Sequence, residues 1–320
     1  MAWMQRRWAL PAATVIGLVV CNMILWLPLP TELQSWAAVG LAILLPGLLL
    51  VNWLMGPHGD STVGERFVFG VGTGVGLLVV LMLALSYLPG GLRFGMVVAS
   101  FNALVLLLAG NVLAGHGTLL TIPRLSRDGQ LVALLALLIG AAFLRFTNLG
   151  YSELHGDEAL VALRANDVIQ GWERALFIHK KGPGEILIGT AMFVLTGELT
   201  EFAAHLPFAL ASWCGVLATY WLGRRWFGPM AGWWAGAMVA TDGYLMAFGR
   251  MLQYQSIVFL LVVVTVLAVE HARQRGAAVM RYGLLAGLLP ATALLAHYEG
   301  VMAFVPVVVL LGALWQQAGG

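Results

Sequence analysis

Charge is scarce in this chain: 10% of its 320 residues are Asp, Glu, Lys or Arg, against 60% hydrophobic. With a mean hydropathy of +0.88, that balance excludes a soluble globular domain and describes a chain for which lipid is the solvent. A clustered basic face is missing as well. The net charge is +2, which excludes nucleic acid as a partner and suits positive loops lying against anionic membrane lipid. Cysteine is reduced to Cys21 and Cys214, both inside apolar runs, so neither a disulfide framework nor a thiolate metal site can be built. No HExxH spacing and no calcium loop occurs, and His155 and His179 stand as single histidines, which argues against a histidine-ligated metal. No solenoid or propeller period is visible. The apolar run from Trp8 to Leu29, behind Arg6 and Arg7, lacks a small-x-small cleavage site and reads as a retained signal anchor.

Apolar segments of spanning length are what the chain has in abundance. About 20 apolar residues cross a hydrocarbon core, and nine such segments are predicted, near 9–29, 36–55, 67–88, 94–114, 130–149, 204–223, 230–248, 254–271 and 281–297, with a tenth near 301–317. The expected fold is therefore an all-α polytopic membrane protein. Alternating the spans from an inner N-terminus puts Arg6, Arg7, Arg66, Arg124, Arg127, Arg224, Arg225, Arg273, Arg275 and Arg281 inside, ten of the 17 basic residues, as the positive-inside rule asks. A polar stretch near Pro123 to Gln130 divides four leading spans, residues 1–125, from a second region, residues 126–320. In the leading region Gly70, Gly72, Gly74 and Gly76 have no strand before them. They read as small residues for close helix packing, not as a dinucleotide fingerprint.

One long polar segment, Tyr151 to Ala203, interrupts this pattern. Within it Gly184 to Leu195 is apolar for too short a stretch to span and is expected to be an interfacial or re-entrant helix. Charge bias then places the whole segment outside, together with Asp242, Arg250 and Glu299. Asp157 and Glu158 open a helical pattern, where an N-cap and a favourable helix dipole would explain them without chemistry. Lys180 and Lys181 precede Gly182, Pro183 and Gly184, a place where a lipid phosphate would meet two ammonium groups, although lysines also anchor at interfaces by snorkelling. Arg250 leads a polar cluster of Gln253, Tyr254 and Gln255, and His297, Tyr298 and Glu299 make another corner. A hard cation held by Asp157 or Glu158 against a phosphate is chemically reasonable.

Taken in order, these pieces resemble a known family. Leu144, Arg145 and Phe146, then Asn148, Leu149 and Gly150, then Gly156, Asp157, Glu158 and Ala159 are similar to the first span and first external loop of GT-C membrane glycosyltransferases, in the protein O-mannosyltransferase and aminoarabinose transferase branch. The similarity continues through Lys181, Gly182 and Pro183, His205, Leu206 and Pro207, the helix end Leu222 to Gly228, Gly249 with Arg250, and the turn His297, Tyr298, Glu299. It covers residues 130–320. The resemblance implies transfer of a sugar from a polyprenyl-phosphate donor to an acceptor lipid, glycan or protein at the external face of a prokaryotic plasma membrane. It implies Asp157 as catalytic base, with Glu158 supporting it or helping to hold a divalent cation. Lys180, Lys181, Arg250, His297 and Glu299 complete the expected substrate site.

Two departures stand out: Gln253 and Gln255 occupy places where many members carry a second acid, and Lys181-Gly182-Pro183-Gly184 replaces a Lys-Pro-Pro or Lys-Pro-Leu pattern. Members carry further spans and often a soluble domain, so a chain ending at Gly320 reads as truncated. The chemistry asks for the same residues independently, since displacing a phosphate from an anomeric carbon needs a base for the acceptor and cations for the leaving group. No nucleophile for a double displacement is evident, which predicts inversion. A transporter, with ionisable groups near the midplane and repeated halves, and a non-catalytic scaffold are the rival readings.

Overall fold

The computed structural model describes residues 9–56, 61–114, 129–273 and 279–318. Arg6, Arg7, Arg124, Arg127 and Arg275, and most of the boundary near Pro123 to Gln130, lie outside the described residues. The described residues contain helices and turns and no strand, so the chain is an all-α polytopic membrane protein. In chain order the helices are α1 (Ala9–Trp26), α2 (Thr31–Met55), α3 (Val63–Ser86), α4 (Phe94–Ala114), α5 (Gly129–Phe146), α6 (Gly156–Ile169), α7 (Ala175–Ile178), α8 (Gly184–Thr196), α9 (Glu201–Phe227), α10 (Pro229–Thr241), α11 (Gly243–Phe248), α12 (Gln255–Arg273), α13 (Val279–Ala296) and α14 (Phe304–Ala318). Seven of them, α2 to α5, α9, α12 and α13, are long and apolar enough to cross a membrane.

The glycine run shows why α3 sits at the centre. A methyl at Gly74 would lie 2.1 Å from the Ile43 carbonyl oxygen, and one at Gly70 would meet the Leu48 side chain at 2.6 Å, so this face of α3 lies against α2. Gly72 and Gly76 face the other way, toward Leu289 at 3.1 Å and Thr292 at 2.5 Å on α13. Two interleaved rows of glycines four apart thus let α3 approach helices on both sides, which is how helices associate in lipid. The α2 backbone widens into a π-turn over Gly40–Leu44 beside this contact.

One expectation changes. The span expected over 230–248 is broken at Asp242 into α10, 13 residues, and α11, six residues, and at 1.5 Å per residue α10 is too short to cross. The cause is remote in sequence. Arg145, fully buried at the end of α5, donates to the carbonyls of Ala240 (3.0 Å) and Val239 (3.1 Å) and to Ser212 Oγ (2.8 Å), closing the last turn of α10. Asp242 then caps α11 by accepting from Leu245 N–H at 2.8 Å. In α8 all 13 residues from Gly184 to Thr196 are buried. It is the short, non-spanning helix expected there, enclosed on all sides by its neighbours. Its start meets the beginning of α12, and Glu198 beyond its end accepts from Thr31 at the beginning of α2.

The charged residues sort to the helix ends. At one end Glu65 pairs with Arg225 and lies 3.3 Å from His271, while Arg281 donates to the Met55 carbonyl at 2.7 Å. At the other end lie Asp157, Glu158, Lys180, Lys181, Asp242, Arg250 and Glu299, drawn together by the bonds Arg145–Ala240, Arg250–Leu144, Glu158–Leu252, Tyr254–Glu299 and Tyr298–Lys181.

Candidate active site

A pocket of about 120 Å³ opens at that second end between α6, the residues before α8 and the start of α12. Its walls carry Asp157, Arg164, His179, Lys181, Glu185 and Tyr254, with Leu160, Val161 and Gln253. Asp157 and Arg164 reach it together because they are two helical turns apart on α6. Helix α6 begins at Gly156 with His155 as its N-cap, so Asp157 lies inside the first turn and is not the cap. Among the described residues Asp157 has neither hydrogen-bond nor ion-pair partner, and the Lys181 ammonium has none either. Both side chains are exposed to the pocket mouth.

Glu158 is in opposite surroundings. It is 2% exposed, and its oxygens accept from His205 Nε2 (2.8 Å), Leu252 N–H (2.7 Å) and His155 N–H (2.9 Å). Burial alone would raise its carboxyl pKa, but these three donors outweigh burial and hold it below the ordinary carboxylate value. Glu158 therefore ties α6 to α9 and to the loop before α12, behind the pocket wall. His205 is oriented in turn by the Leu149 carbonyl, 3.0 Å from Nδ1.

A second buried chain forms the pocket floor. Arg164 bonds His179 Nδ1, and His179 Nε2 bonds Glu185. A guanidinium only donates, so Nδ1 accepts and the Nε2 proton points at the carboxylate. Glu185 Oε2 also accepts from Tyr254 N–H at 3.1 Å. The Tyr254 ring stacks on His297 with centroids 3.3 Å apart, and its hydroxyl donates to Glu299 at 3.0 Å. Burial first, then the Glu299 carboxylate, raises the Tyr254 pKa. His297 is fully buried, accepts from Glu299 N–H through Nδ1 at 3.2 Å, and leaves Nε2 without a partner. Burial lowers its pKa, opposed by Glu299 and Glu185.

The expected site residues thus separate by position. Asp157 and Lys181 line the pocket. Glu158, His297 and Glu299 stand one contact behind it. Arg250 is turned away, donating to the carbonyls of Leu144 (3.0 Å) and Asn148 (3.2 Å). Lys180 is exposed, in a left-handed backbone conformation, outside the lining. Among the described residues no group of three His, Cys, Asp or Glu side chains is gathered as a metal would require, and both oxygens of Glu158 are already engaged.

Arg164 and Glu185 do not stand out in the sequence, and His179 stands out there only as a ligand type. A charge seven residues after Asp157, and a lone acid at the head of an apolar helix, were the available signals.

The fold and this pocket define a multi-pass membrane protein with a charged pocket at its helix ends. Residues 180–319 match the family model described as dolichyl-phosphate-mannose-protein mannosyltransferase. This agrees with the GT-C resemblance and supports a membrane glycosyltransferase in general terms. The matched stretch starts at Lys180 and so includes Lys181 but not Asp157. No curated protein and no solved structure matches the chain.

Proposed function

We propose that the pocket transfers a sugar from a polyprenyl-phosphate donor to an acceptor hydroxyl or amine on the external side of the membrane, with Asp157 as the base. The observation that carries this reading is that a carboxylate and an ammonium with no partners, Asp157 and Lys181, line one small pocket at the end of a membrane bundle. Asp157 takes the proton of the acceptor as its heteroatom bonds the anomeric carbon. The bond from that carbon to the phosphate oxygen breaks, and the electron pair leaves on the phosphate, beside Lys181 and Arg164. Cations placed where that charge develops lower the barrier more than they bind the ground state. One displacement inverts the anomeric centre.

Glu158 acts as a positioning residue in this reading, because its three bonds set the pitch of α6 and the backbone beside Gln253. Arg250 and Lys180 are given no contact with the reacting atoms. The region from 126 onward holds the reaction, and α1 to α4 support it through the glycine contacts of α3. The test is incubation of membrane-embedded protein with labelled polyprenyl-phosphate sugars, scored for lipid phosphate release and product anomer. No release with any donor, or a retained anomer, rejects the proposal.

A further inference from the structure

The opposite end of the bundle holds a second and larger cavity, about 400 Å³, between α5, α9 and α10. That volume lies in the range of cavities that seat small ligands. Its lining is mostly apolar, with Ala133, Pro229, Met230 and Trp233, and two polar groups, Gln130 and Tyr220. The walls are fixed. The Trp233 indole N–H donates to the Ala133 carbonyl at 2.9 Å across the cavity, and a methyl at Gly232 would lie 2.6 Å from the Tyr220 carbonyl, so α9 and α10 touch through their backbones.

Arg224 stands at the head of this groove. It donates to Gln130 Oε1 (3.2 Å) and to the Tyr220 hydroxyl (3.1 Å), and its guanidinium lies 5.6 Å from the centroid of Trp221. All three partners are neutral. Among the described residues no carboxylate pairs with Arg224, whereas its neighbour Arg225 is paired with Glu65. Exposed Trp226 follows it in sequence, and exposed Trp234 packs edge-on against Trp233 of the lining; tryptophan settles at the head-group level of a bilayer.

A cation with no carboxylate partner among the described residues, heading an apolar groove at a membrane interface, is complementary to one kind of molecule. We infer that this cavity binds an anionic phospholipid, with the phosphate on Arg224 and one acyl chain along Trp233 and Ala133. Basic pockets between membrane helices recognise lipid head groups by this combination. The apolar lining rejects a free phosphate, and a zwitterionic lipid brings its own cation to Arg224.

The experiment adds phosphatidylglycerol or phosphatidylcholine to detergent-purified protein and counts retained lipids by native mass spectrometry. Wild type is expected to favour phosphatidylglycerol about fivefold, the preference a single arginine near the surface confers, and inorganic phosphate leaves it in place. Arg224→Gln should equalise the two lipids, and Ala133→Phe, which fills the groove, should lose both. Equal retention by wild type, an unchanged preference in Arg224→Gln, or full retention in Ala133→Phe overturns the inference. So does displacement by inorganic phosphate, or retention of polyprenyl phosphate with none of phosphatidylglycerol. Should Arg224→Gln not fold, Ala133→Phe decides alone.

Discussion

Asp157 and Glu158 are adjacent in sequence and opposite in surroundings, so replacing each by its amide separates chemistry from architecture. Glu158 accepts three hydrogen bonds while 2% exposed. In Glu158→Gln the carbonyl oxygen can still face Leu252 and His205, but the amide nitrogen then meets the His155 N–H, donor against donor. Hydrogen bonds to charged groups contribute about 1.5–3 kcal/mol each, so one lost bond and two weakened ones cost about 3 kcal/mol, within what breaking a buried pair costs. The thermal midpoint of purified protein, followed by tryptophan fluorescence, should fall by roughly 5 °C or more.

Asp157→Asn removes no bond at all. It forfeits about 0.5 kcal/mol of helix-dipole interaction, leaves the midpoint unchanged within error, and lowers sugar transfer by roughly 10²- to 10⁴-fold, the contribution of a general base. The two differ in acid as well. The Glu158 pKa is depressed in the folded protein, so its stabilisation is complete above the unfolded value of about 4.3 and is lost as pH falls through the lower folded value. Glu158→Gln lacks that step. Near-normal transfer by Asp157→Asn, or a fall in its midpoint equal to that of Glu158→Gln, refutes the division of labour.

Lys181→Ala should raise the donor KM about tenfold, the equivalent of about 1.4 kcal/mol for one charged contact to phosphate, and unchanged donor kinetics would remove Lys181 from the site. Arg145→Leu leaves the Ala240 and Val239 carbonyls without their buried donor and should cost about 3 kcal/mol in thermal or denaturant unfolding; a wild-type midpoint would contradict its role in ending α10. Gly74→Ala puts a methyl 2.1 Å from the Ile43 carbonyl, and backbone cannot swing aside, so a loss of about 1–3 kcal/mol is expected. Gly95→Ala, with open space around it, serves as the control and should be neutral or slightly stabilising.

Spanning helices were legible because hydropathy is summed over many residues and survives local exceptions. The break at Asp242 was not, since its cause, Arg145, sits nearly a hundred positions earlier and acts only once α5 and α10 are side by side. Likewise the length of the 184–195 segment excluded a span, but its full burial depends on the surrounding helices. At the candidate site Asp157 and Lys181 could be read as charges in a chain that has few. Arg250 was equally visible, yet its orientation toward the Leu144 and Asn148 carbonyls depends on where α5 ends. Glu185 and His179 are unremarkable in sequence and gain meaning only by meeting Arg164 and Tyr254.

The partners around the pocket also explain why Asp157 and Lys181 are the pair to test. The ionisable groups packed behind and beside the pocket are held: Glu158 by His205 and two backbone N–H groups, Glu185 by His179 and the Tyr254 N–H, Glu299 by Tyr254, Arg250 by two carbonyls, Asp242 by its own helix. Those bonds fix side chains and backbone before a substrate arrives, the form of preorganisation that makes charge effective in a partly dry site. A salt bridge between Asp157 and Lys181 would undo it, lowering the basicity of the carboxylate and neutralising the cation that the proposed reaction places beside the phosphate. The fold places both in one pocket without pairing them, which leaves each available to a different part of one substrate pair.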